Sequence, residues 1–326
     1  MPEYGFALMG EEHPPRRLVD LAVRAEEAGF DFAMLSDHYQ PWTSTQGNAS
    51  FMWTVLGAIA TATERIALGT GVVCPTMRMH PAIVAQAAAT AASLLPGRFR
   101  LGLGSGGQLN EHIVGRPWPD AGTRLDMLEE AVGLIRRLWD GGLVSHHGQH
   151  FDAVDAQLWT LPEQLPPVLV AAGGPRAARL AGRVGNGLIA TVPDRALVDA
   201  FLATAAGDAP PRYGWVSFCW DRDPDRALDV AHRHWPIAGL SGDLFQELRL
   251  PRHVEAATRH VRREEVGRVL VTGPDPAPYA ARVGEFLDAG FTHVWVHQIG
   301  PDQEGFLRFW QREVVPLLPP SSGARS

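Results

Sequence analysis

"LGLGSGGQLNE" occupies residues 101–111, and its reading decides the fold. Gly102, Gly104 and Gly107 spell G-x-G-x-x-G behind an apolar, strand-like run. In a dinucleotide-binding turn the third glycine opens a long helix, and an acidic residue about 20 positions on ends the next strand. Neither feature is present. Gly115, Pro117 and Pro119 interrupt any long helix. The acid nearest the required distance, Asp126, lies inside an amphipathic segment and not at a strand end. The stretch therefore reads as a glycine-rich loop behind a strand, where bare backbone can come close to a flat or phosphorylated group.

Working outward, strand-like and helix-like segments alternate. Near-continuous apolar runs fall at 4–8, 32–35, 65–73, 98–104, 167–172, 187–192, 213–220 and 293–300. Such runs suit strands buried on both faces, hence a parallel sheet covered by helices. The segments 14–29, 51–64, 81–95 and 124–141 carry apolar residues at helical spacing. In the last of these, Leu125, Leu128, Val132, Ile135 and Leu138 form the apolar face, with Glu129, Arg136 and Arg137 turned outward. Eight β/α units without a polar linker predict one α/β domain, a (β/α)8 TIM barrel over residues 1–318, with a doubly wound sheet as the alternative. Insertions are expected at 105–122, 142–165 and 223–265, and a disordered tail at 319–326.

Composition narrows the partners. The net charge of −7 argues against nucleic acid or an anionic membrane as partner. No apolar run reaches the ~18 residues that cross a bilayer, and the first residues lack a signal-like basic and apolar pattern, so a cytoplasmic protein is expected. Cys74 and Cys219 lack CxxC spacing and read as buried apolar residues. His146, His147 and His150 sit in a polar, hairpin-like stretch away from the strand ends, so no metal is expected. "HRH" at 232–234 reads as a solvated helix face. The chain contains no lysine, which excludes Schiff-base and P-loop lysine chemistry.

In TIM barrels, chemistry gathers at the C-terminal ends of the strands. Those ends deliver Glu11, then Asp37, His38 and Trp42, then "GTGVVCPT", then Ser105 to Asn110 with Gly106 and Gly107. Later strands deliver "AAGGP" (171–175), Thr191, and His297 with Gln298. His38 is the acid/base candidate, since histidine titrates nearest neutral pH and the preceding Asp37 could bias its ring. Trp42 could stack on a planar ring or donate its indole N–H. Glu11, on position alone, reads as a surface carboxylate. The glycines before Pro175 lead into a helix whose first amides suit a phosphate.

Together, "SDHYQPW", "IALGTGVVCPT", "HPAIVAQAAAT", "LNE", "AAGGP" and "HVWVHQIGPDQEGF" resemble the luciferase-like TIM-barrel oxidoreductases, and within them the branch that uses the 5-deazaflavin coenzyme F420. The resemblance covers nearly the whole chain. It implies hydride transfer between the deazaflavin C5 and a carbinol or carbonyl carbon, and a homodimer. It assigns His38 as base, Trp42 beside it, and Glu11 near the substrate. It places Asp37, Gly71, Val72, Ser105, Gly106, Gly107, Asn110, Ala172, Gly173, Gly174 and Thr191 along the coenzyme, with a cis peptide at Gly71–Val72. Two departures stand out. Where the family pattern carries a glutamate, this chain has Gly107. Where the family's sugar-phosphate site carries a lysine, it has Asp194. These point to a small non-phosphorylated polar metabolite, a sugar among the options. The alternatives are a redox-neutral epimerase, an FMN-dependent monooxygenase, or a degenerate protein that binds deazaflavin without turnover.

Overall fold

The computed structural model describes residues 1–240 and 244–321. Its strands, in chain order, are β1 (Glu3–Leu8), β2 (Phe32–Leu35), β3 (Ala67–Thr70), β4 (Phe99–Leu103), β5 (Val144–His147), β6 (Asp152–Ala156), β7 (Val168–Ala171), β8 (Gly187–Ala190), β9 (Arg212–Cys219), β10 (Val271–Thr272) and β11 (His293–Gln298). Strands β1, β2, β3, β4, β7, β8, β9 and β11 pair in parallel in that order, and β11 returns to β1. Closure through β8–β9 and β11–β1 excludes the open doubly wound sheet and makes a (β/α)8 barrel. Strand β10 adds to β9, and β5 with β6 forms a separate antiparallel hairpin.

Side-chain alternation along the strands produces two cores. Ala7, Phe32, Met34, Leu169, Ile189 and Trp295 fill the barrel interior. Phe6, Leu8, Leu68, Leu101, Val170 and Val294 face the helices. Both faces are therefore dry, which is why these strands read as unbroken apolar runs. The interior has room for its large side chains because others are absent. A Cβ on Gly5 would lie 2.3 Å from the Phe32 ring, and one on Gly102 would lie 2.0 Å from the Thr70 carbonyl oxygen.

The helices follow their sequence signals. Helix Pro15–Glu27 carries proline in its first turn, buries Leu18, Leu21, Ala22 and Ala25, and is closed by Gly29 at φ 82°. Helix Ala121–Trp139 starts earlier than the apolar periodicity, because Asp120 caps it by accepting from the Thr123 amide at 3.0 Å. Its buried face includes Met127 and Trp139 as well as the expected leucines. Ahead of helix Ala121–Trp139, the insertion at 105–122 holds the short helices Gln108–Glu111 and His112–Val114, so the glycine motif opens no long helix. In the 142–165 insertion His146 contacts Glu130 and His147 contacts Asp152 across the hairpin. Among the described residues, no group of three or more His, Cys, Asp or Glu could hold a metal ion, and no helix is long and apolar enough to cross a membrane.

Three smaller expectations are corrected. In helix Pro224–His234, His232 Nε2 meets the Val261 carbonyl at 2.8 Å, so "HRH" is not a fully solvated face; the rest of that insertion packs back on it. Cys219 is buried but Cys74 is only half-buried. The start of the tail is tied down, since Tyr4 donates to the Pro319 carbonyl at 2.9 Å. Residues 322–326 of that tail, and 241–243 of the 223–265 insertion, lie outside the described residues.

Candidate active site at the barrel mouth

The turn after β1 supplies a buried carboxylate. Glu11 is 0% exposed, so position alone misread it as a surface residue. Its Oε2 accepts a very short hydrogen bond from Ser36 Oγ. Its Oε1 lies 3.2 Å from His38 Nε2 without an aligned hydrogen bond, and is left without a donor. At the other side of the His38 ring, Nδ1 has two neighbours, the Gln40 carbonyl at 3.1 Å and Asn110 Nδ2 at 3.2 Å. One is an acceptor and the other a donor, so Nδ1 finds a partner whether or not it carries the proton. Asn110 is held in that orientation because its Oδ1 accepts from the Tyr39 amide at 2.9 Å. Trp42 packs beside the ring with centroids 5.2 Å apart.

Asp37 does not orient His38. Its Oδ2 pairs with Arg78 Nη2 at 2.5 Å, and Glu111 completes the cluster by accepting from the Arg78 amide at 2.8 Å. Burial pushes the carboxyls of Asp37 and Glu111 up, only partly offset by the Arg78 charge. Asp37 Oδ1 is buried with no hydrogen-bond partner. Such an atom needs a ligand donor to be satisfied.

Between these groups the mouth is floored by backbone. The Gly71–Val72 bond is cis, and Val73 bridges to Leu103. Gly106 has φ 95°, where a side chain would be strained and a Cβ would press 3.0 Å from Glu111. Ser105, Gly106 and Gly107 follow β4, while Ala172 follows β7 and Thr191 follows β8. Gly107, Gly173 and Gly174 have nothing within 4 Å of an added Cβ. Helix Pro175–Val184 has Gly174 as its N-cap, which offers no side chain to the first amides. The expected residues of strands β1 to β4 thus converge, and those after β7 and β8 supply an open shelf.

Several groups at this mouth escape sequence reading. Arg78 carries no motif signal, and Ser36, though it opens "SDHYQPW", gave no sign of its partner. Glu12 was hidden beside Glu11, although the run Glu11-Glu12-His13 announces charge at a strand end. The Glu12 carboxylate pairs with His297, and Trp215, stacked 5.9 Å from the His297 ring, has a buried indole N–H with no acceptor. Gln298, by contrast, is structural: its amide braces the Trp220 backbone and the Ile299 carbonyl.

The pattern of the luciferase-like monooxygenase family matches residues 3–293. The chain belongs to that family. Within it, a protein of Nocardia farcinica (strain IFM 10152) named F420-dependent glucose-6-phosphate dehydrogenase is 39% identical, over 97% of this chain and 98% of its own. One of the same name from Kribbella flavida (strain DSM 17836 / JCM 10339 / NBRC 14399) is 38% identical, over 96% of this chain and 97% of its own. Among solved structures, an F420-dependent secondary alcohol dehydrogenase in complex with an F420-acetone adduct superposes with a TM-score of 0.90. Its identity is 26%, covering 98% of this chain and 99% of that one. A tetrahydromethanopterin reductase at TM-score 0.78 and 22% identity shares the fold.

Proposed function

We propose that this luciferase-like protein is an F420-dependent oxidoreductase acting on a carbinol or carbonyl carbon of a small, non-phosphorylated polar metabolite such as a sugar. The observation that carries the reading is His38 beside the buried Glu11 and Trp42, facing a side-chain-free shelf. When bound, the deazaflavin supplies the two-electron hydride carrier. The residues present fit such a group. The open backbone at Gly107, Gly173 and Gly174 admits a flat ring and its chain, and the uncapped helix start at Pro175 suits a phosphate. The unpartnered Asp37 Oδ1 offers an acceptor to a ring N–H.

The protein's part is to hold a proton. With Nδ1–H donated to the Gln40 carbonyl, His38 Nε2 is free to accept a proton from a substrate hydroxyl. Glu11, whose Oε1 has no other donor, then steadies the imidazolium; in the reverse direction the ring returns the proton. Trp42 limits the approach to one side of the ring. The non-phosphorylated reading rests on the absence of lysine and on Asp194, which caps helix Arg195–Leu202 by accepting from the Ala196 amide at 2.8 Å. A dianion would meet a carboxylate there.

Gly107 favours a second outcome at the same site. Without a carboxylate on that loop, a hydride removed and returned would give an epimerase, visible as inversion with no net change in coenzyme absorbance. Residues 1–318 serve as one catalytic domain, in a cytoplasmic homodimer. The exposed apolar residues Phe51, Ile83 and Leu94 support a self-contact that light scattering would test. The deciding experiment is a fluorescence titration with F420 followed by turnover of glucose and glucose 6-phosphate. Binding of F420 and a preference for the unphosphorylated sugar are expected. No F420 binding refutes the function, and a preference for the phosphate refutes the substrate class.

A further inference from the structure

On the other side of β1 from His38, strands β9 and β11 carry a second polar relay. Residues of β9 alternate, so Tyr213, Trp215, Ser217 and Cys219 share its inward face. Ser217 stands level with His297 of β11 in the register. Its Oγ lies 3.1 Å from His297 Nδ1, and His297 Nε2 lies 3.0 Å from Glu12 Oε1. His297 and Glu12 are buried, while Ser217 is half-buried at the mouth end of the barrel. Burial alone would push Glu12 up, but His297, His13 and the Gly300 amide together outweigh it and hold the carboxyl below its usual range. In the neutral ring, an Nε2–H donated to Glu12 leaves Nδ1 to accept from the Ser217 hydroxyl. A serine so polarised presents its oxygen as an acceptor to whatever enters the mouth.

We infer that Ser217, positioned by His297 and Glu12, binds a second hydroxyl of the substrate, next to the carbon that reacts, and so selects vicinal diols or hydroxy-carbonyl compounds over simple alcohols. This rests on the proposed function for which carbon reacts, but its geometry uses only this chain. Glu11 and Glu12 are adjacent, so one turn after β1 anchors both the His38 pair and the His297 relay. The two relays therefore stand on one side of the barrel mouth, with β1 between β2 and β11. Trp215, with its buried indole N–H lacking an acceptor, lies one inward position below Ser217 and offers a further donor to the same ligand.

The test compares two probes of nearly equal size, cyclohexanol and cis-1,2-cyclohexanediol. Their binding to the full protein is measured by calorimetry, with and without F420, alongside an F420 titration of every sample. The parent is expected to prefer the diol by about tenfold, the worth of one good hydrogen bond. Ser217→Ala should bring the ratio to near one. His297→Gln and Glu12→Gln should lower it while circular dichroism and F420 affinity stay at parental values, a pattern that a purely structural role would not give. No diol preference in the parent, or a preference that survives Ser217→Ala, overturns the inference. A preference unaffected by both relay variants overturns the positioning role. If F420 fails to bind while the diol preference holds, the proposed function falls and this inference stands.

Discussion

Gly107→Glu restores the carboxylate that the loop after β4 lacks. The backbone accepts it: φ −136° and ψ 141° are ordinary extended values, and an added Cβ meets nothing within 4 Å. Replacing glycine at an unstrained position stabilises by ~0.4–1 kcal/mol through the unfolded chain. A negative charge at a helix start adds about 0.3–1 kcal/mol. Against this, Asp37 and Glu111 are nearby carboxyls already pushed up by burial, and a third acid adds repulsion. The net change should stay within about 1 kcal/mol, a Tm shift of at most a few degrees for a chain this long. Chemistry should respond far more, since a positioned general acid is worth ~10²–10⁴-fold. The assay is stopped-flow absorbance of the deazaflavin with each substrate, beside a thermal melt. Coenzyme turnover should rise by roughly 10²-fold or more with the melt unchanged. A variant that folds, binds F420 and reacts at the parental rate would refute the assignment of this position as the missing acid site.

Other expectations follow from the same site and its supports. His38→Ala should lower kcat/KM by ~10²–10⁴-fold while F420 affinity, read by fluorescence, stays near the parent's. Arg78→Met leaves the buried Asp37 and Glu111 carboxylates facing each other, and should cost ~3–5 kcal/mol in denaturant unfolding. At the rim, the paired Arg17 holds the Glu304 carboxyl down to about 2. Because the folded value is depressed, the stability it contributes is full above the unfolded carboxylate range and disappears as pH falls through about 2. Partial exposure of both side chains limits it to at most ~1 kcal/mol. Glu304→Gln should therefore lower stability above pH 6 by at most that ~1 kcal/mol, and its difference from the parent in urea titrations should shrink to nothing as pH falls toward 2.

Much of the architecture was legible in the chain. Each barrel strand fell on an apolar run, because strands buried on both faces leave no polar alternation. The glycine motif was correctly separated from a nucleotide fingerprint by Gly115, Pro117 and Pro119, which the structure bears out with a helix of only Gln108–Glu111. Helix starts were less legible: Asp120 set one by a side-chain cap, a local bond that apolar periodicity does not register.

The site divided along a different line. Sequence by itself determined which residue types reach the barrel mouth, since strand order and strand ends follow from local pattern: His38, Trp42, the glycines after β4 and β7, and the absence of any lysine. It could not decide who pairs with whom. Asp37, next to His38 in the chain just past the end of β2, turns away to pair with Arg78. Glu11, apparently a surface acid, becomes the partner of His38, and Glu12 reaches His297 from the far end of the chain. The Glu11 and Glu12 pairings exist because β1 stands between β2 and β11 in the closed barrel. Burial there leaves each charge no water to turn to, so its partner must come from whichever strand the fold sets beside it.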